Sequence, residues 1–129
     1  MRLYLYLGLG GAAGVILRFA LGAWVSTAHP VASRFPIATL LINVSGSFAL
    51  GFLMRWLADA GATRDVRAML TSGFCGGFTT FSTFSYETIV LMSERRYSAA
   101  AFYGSVSLVA SVAACYLGFA LAEVVARRS

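Results

Sequence analysis

Long stretches without a formal charge constrain this chain more than any other feature: residues 35–54, 68–86 and 97–122 carry none, and 3–33 carry only Arg18. A helix rises about 1.5 Å per residue, so about 20 apolar residues cross the hydrocarbon core of a bilayer. The four runs predict four spanning helices, at 3–25, 37–57, 68–92 and 99–125. The expected fold class is an all-α membrane protein, one four-helix domain over residues 1–129. Composition agrees, with 59% hydrophobic and 12% charged residues, against roughly 45–50% and 25% in soluble domains.

Net charge is +5 and every basic residue is arginine. In a soluble protein that balance would suggest nucleic acid. Here the arginines cluster at span ends, where they reach headgroups and bias orientation. Arg2, Arg55, Arg64, Arg67, Arg127 and Arg128 fall on the side of both termini, and Arg34, Arg95 and Arg96 on the other. That weak bias favours cytoplasmic termini. Ser26-Thr27-Ala28 looks like a secretory cleavage site, but the apolar stretch before it is too long for a signal peptide, is glycine-rich and holds Arg18, which suits a retained helix. Cys75 and Cys115 fall within spans without metal-ligand spacing and read as packing thiols. No side-chain set demands bond-making chemistry, so the chain does not read as an enzyme.

Helices in lipid associate through small residues spaced four apart. Gly10 and Gly14 lie on one face of the first helix with Arg18 one turn further. Asn43, Ser47 and Gly51 form a second stripe, and Tyr103, Ser107, Ser111 and Cys115 a third. Packing alone would explain each stripe. Asn43 asks for more, because an unpaired amide in hydrocarbon must face protein, water or a ligand. Arg18, deep in its span, needs acceptors, either as a structural tie to carbonyls or as an attractor for an anion. Glu87 is the acid well inside a span, and the sequence leaves its role open.

The segment Gly73-Phe74-Cys75-Gly76-Gly77-Phe78-Thr79-Thr80-Phe81-Ser82-Thr83-Phe84-Ser85 is a poor helix core, since glycine and β-branched residues both weaken helices. A break is expected within 76–80. Carbonyls freed inside a membrane need partners, and a bound cation is one. After the break Phe81 and Phe84 share a face, as do Thr80 and Phe84. The electropositive edges of the rings can line an anion's path without gripping it, although packing or lipid contact also explains them.

Three stretches resemble successive motifs of the Fluc/CrcB fluoride channels: Gly10-Gly11-Ala12-Ala13-Gly14-Val15-Ile16-Leu17-Arg18, Thr39-Leu40-Leu41-Ile42-Asn43-Val44-Ser45-Gly46, and the segment from Gly73 to Phe84. The likeness covers essentially the whole chain; Ala38 departs from it, where the family commonly has glycine. The resemblance implies a dual-topology homodimer in the cell membrane, two antiparallel copies surrounded by lipid with two fluoride pores along their interface; a family variant pairs two oppositely oriented homologues. It also implies a fluoride pathway through Asn43, Phe81, Thr83, Phe84, Tyr103, Ser107 and Ser111, and a structural Na⁺ held by the backbone carbonyls of Gly76 and Thr79. It gives Arg18 a mainly structural role.

The implied activity is passive export of fluoride. Fluoride holds its water tightly, so hydroxyls and an amide must replace that water along the path. Two rivals make different demands. A proton-coupled exporter of cationic drugs would want a central carboxylate, and Glu87 lies toward the end of its span. A non-transporting assembly subunit would leave the broken helix unexplained.

Overall fold

The computed structural model describes residues 1–28 and 35–127. Arg34 and Arg128, used above to weigh orientation, lie outside the described residues. Three of the expected spans are single helices long and apolar enough to cross a membrane: α1 (Arg2–Ala28), α2 (Ile37–Asp59) and α6 (Tyr97–Ala126). The remaining span is composite. It runs through α3 (Arg64–Ala68), a π-helical stretch (Met69–Cys75), α4 (Gly76–Phe78) and α5 (Phe81–Ser93).

Local chemistry sets several of these ends. Gly61, at φ 61°, lies just beyond the end of α2, where a left-handed residue without a side chain ends a helix at least cost. Thr63 caps α3, its hydroxyl accepting from the Val66 N–H at 3.4 Å. Arg95 turns the chain between α5 and α6 at φ 60°.

The break falls within the expected window, but the glycines do not make it. Gly76 is helical at φ −65° and ψ −35°, whereas Thr79 (−79°, 159°) and Thr80 (−150°, 115°) are extended. Gly77 serves packing instead. A Cβ on Gly77 would lie 2.6 Å from the Gly11 carbonyl oxygen, and one on Gly10 or Gly14 would collide with the carbonyls of Met69 or Phe74. Backbones in contact at this range maximise dispersion where lipid removes the hydrophobic drive for helices to associate. The second large seam joins α2 to α6, where Gly51 meets the Cys115 backbone and Gly118 meets that of Phe48.

Candidate functional site

The break is held by one side chain. Thr80 donates its N–H to Asn43 Oδ1 at 2.8 Å, and Asn43 Nδ2 donates to the Thr80 carbonyl at 3.0 Å. In an unbroken helix the Thr80 N–H would go to the Gly76 carbonyl; turned toward Asn43, it leaves that carbonyl without its helical partner. The Cys75 carbonyl closes the preceding turn, accepting from both the N–H and the hydroxyl of Thr79 at 2.9 and 3.0 Å. Thr80 then starts α5, its hydroxyl accepting from the Thr83 N–H at 3.2 Å and donating to the Thr83 hydroxyl at 3.0 Å.

Two opposite half-helix ends therefore meet at Thr79–Thr80. The helical run 64–78 presents its negative end there and α5 its positive end. Gly76 is exposed, and a Cβ built on it would meet nothing within 4 Å. The Gly76 carbonyl, left without its helical partner, shares the negative partial charge of that end.

Beside the break lies a cavity of about 260 Å³ between α2, the break and α6. It brings together five of the residues expected on the pathway: Asn43, Phe81, Phe84, Ser107 and Ser111. The two phenylalanine rings are 5.5 Å apart between centroids and tilted by 42°. Ser107 is buried, and its hydroxyl has no hydrogen-bond partner. Ser111 lies one turn beyond it on α6. Asn43 has two amide hydrogens and commits one to Thr80, so the second remains to serve the cavity it lines.

The remaining expected residues stand elsewhere. Tyr103 is fully buried, with ring centroids 5.1 Å from Phe84 and 5.5 Å from Phe35. Its hydroxyl donates to Glu87 Oε2 at 2.7 Å, while Thr39 donates to Glu87 Oε1 at 2.8 Å. Thr83 and Arg18 line a second groove, of about 500 Å³, together with Thr39 and Glu87. Thr80 lines both spaces and so marks the divide between them.

Sequence reasoning missed Ser47 and Thr80 as lining residues of the first cavity. Ser47 had a visible signal, since it follows Asn43 by four on the stripe already noted. The joint grip of Thr39 and Tyr103 on Glu87 had none, because 48 and 16 residues separate the partners.

Residues 5–119 match the family model described as CrcB-like protein, Camphor Resistance (CrcB). The chain is 43% identical to the fluoride-specific ion channel FluC of Thermococcus onnurineus, covering 95% of this chain and 97% of that one. It is 40% identical to the FluC of Campylobacter fetus subsp. fetus, covering 92% of each. Identity to a FluC of Thermus thermophilus is 39%, over 92% of this chain and 91% of the relative.

Proposed function

We propose that this chain, which belongs to the CrcB-like protein family, is a fluoride-selective channel that releases the anion passively across the membrane. The chain is a multi-pass membrane protein by family and by its apolar helices. The observation that carries the reading is the Ser107 hydroxyl, buried without a partner in a cavity that it shares with Ser111, Asn43 and two phenylalanines. A lone hydroxyl in an apolar wall is unfavourable by about 1–3 kcal/mol. It fits a site where an acceptor arrives from outside.

Fluoride is such an acceptor, small and strongly hydrogen-bonding. Stripping its water without replacement would cost on the order of tens of kcal/mol. Ser107, Ser111 and the second Asn43 N–H offer donors at successive depths, and the edges of Phe81 and Phe84 add weak positive potential. Several moderate contacts, rather than one tight site, let the ion leave again. The positive end of α5 beside them favours an anion further. A protonated acid that crosses the lipid and ionises in a neutral cytoplasm would supply the gradient.

One copy leaves this route open on its side, for Phe81 is 79% exposed. A second, antiparallel copy covers it in our reading and makes two pathways. The same arrangement brings the Gly76 and Thr79 carbonyls of both copies together at the centre, where they would hold a structural sodium ion. When bound, that ion supplies fixed positive charge between the two negative half-helix ends. Arg18 and the Glu87 cluster stand apart from this route in the second groove, where Arg18 keeps a mainly structural role.

Purified protein in liposomes loaded with fluoride, read with a fluoride electrode, tests the activity. Rapid efflux without accompanying proton exchange is the expected result. Drug-driven proton exchange, or no flux at all, would replace the channel reading with one of its rivals.

A further inference from the structure

The ion pathway leaves unexplained a basic site at the junction of α2 and α3. Arg64 and Arg67 are three apart on α3 and therefore share a face. Both line an open groove of about 370 Å³ whose other walls include Leu53, Met54 and Leu57 from the last turns of α2. Arg55, Arg96 and Arg127 each have a carboxylate partner. Among the described residues Arg64 and Arg67 have none, even with Asp65 between them in sequence; Arg2, Arg18 and Arg95 also lack one, but only Arg64 and Arg67 lie side by side in a shared groove.

Position adds to this. The groove lies where the uncharged run of α2 gives way to Arg55 and Asp59, the boundary between hydrocarbon and water. An apolar wall on the membrane side and two unpaired guanidinium groups on the water side match an amphiphile with an anionic head. A free anion would leave the leucine and methionine surface bare, and a zwitterionic head would bring its own cation toward two others. Guanidinium suits a phosphate diester because its planar fork can donate to two oxygens at once.

We propose that this groove binds an anionic phospholipid, with Arg64 and Arg67 holding the phosphate and an acyl chain lying along Leu53 and Met54. The inference is independent of what passes through the protein. In an antiparallel pair it places one such site in each leaflet.

Native mass spectrometry tests it on the purified full-length protein, in mild detergent carrying equal amounts of phosphatidylglycerol and phosphatidylcholine. The wild type should retain phosphatidylglycerol over phosphatidylcholine. The R64Q/R67Q double variant should retain at least about tenfold less, in line with roughly fivefold per arginine near a membrane surface. R64K/R67K, which keeps the charge, should recover much of the loss, and R96Q should behave as wild type. Equal retention of both lipids by the wild type, displacement by inorganic phosphate, or undiminished retention in the double glutamine variant would overturn the proposal. Should that variant fail to fold, the single variants R64Q and R67Q, each expected to retain about fivefold less phosphatidylglycerol, decide the matter, and undiminished retention in both would overturn the proposal.

Discussion

Replacing Asn43 with alanine removes both hydrogen bonds that hold the helix break open, one at 2.8 Å and one at 3.0 Å. Thr80 is buried, so its N–H and carbonyl lose their partner and gain at most the water that the adjoining cavity admits. Orphaned buried groups cost about 1–3 kcal/mol each in soluble proteins. Side-chain hydrogen bonds in bilayers average nearer 0.6 kcal/mol, because the reference state finds substitutes. Two bonds, each between that bilayer average and its upper value of about 1.7 kcal/mol, put the loss at about 1–3.5 kcal/mol, concentrated at the break because the seams of α1 and α6 are untouched. At about tenfold per 1.4 kcal/mol, local opening should rise roughly 5-fold to several hundredfold. Hydrogen–deuterium exchange over peptides spanning 79–84 reads that opening directly, with α6 as internal control. Asn43→Asp keeps an oxygen acceptor for the Thr80 N–H but loses the donor, so part of the protection should survive in it while fluoride flux is lost to repulsion. Unchanged exchange at 79–84 in Asn43→Ala would refute the clamp.

Ser107→Ala should leave stability unchanged or raise it by up to about 1 kcal/mol, since it deletes an unpaired buried hydroxyl; thermal unfolding would show this, and liposome flux should nevertheless fall at least about tenfold. Gly77→Ala should destabilise by about 1–3 kcal/mol through collision with the Gly11 backbone, with loss of monodisperse elution on gel filtration. Gly104→Ala, where an added Cβ meets nothing within 4 Å, should be neutral or stabilising by up to about 1 kcal/mol in the same assay.

The spans were readable from the sequence because hydropathy and length are one-dimensional properties, and bounds such as 37–57 and 99–125 differ from the helices α2 and α6 by only a few residues. The site was readable in pieces. The stripe through Asn43 and Ser47 and the pair Ser107 and Ser111 do converge on one cavity, because four-residue spacing fixes a helix face. The cause of the break was misleading. Gly76 and Gly77 weaken an isolated helix, yet here they stay helical and α1 packs closely against Gly77, so tertiary contact outweighs intrinsic propensity. The break passes instead to Thr79 and Thr80, whose β-branched side chains suit extended backbone and whose partner, Asn43, is 37 residues away from Thr80. Nothing in residue spacing marked the π-helical stretch. Tyr103 lies on the serine stripe by spacing, but Glu87, one position of no periodic pattern, draws its hydroxyl away from the cavity that Ser107 and Ser111 line.

The most direct test of the anion route is fluoride efflux from liposomes containing Phe81→Ile, measured beside wild type at matched protein density. Isoleucine keeps most of the apolar bulk and removes the ring edge, and loss of about 1–3 kcal/mol at the barrier corresponds to roughly a 5-fold to 150-fold slower flux. The account predicts a slowing in that range or beyond, with gel-filtration behaviour like that of wild type. Flux at the wild-type rate would contradict it, because the exposed ring would then have no part in the path of the ion.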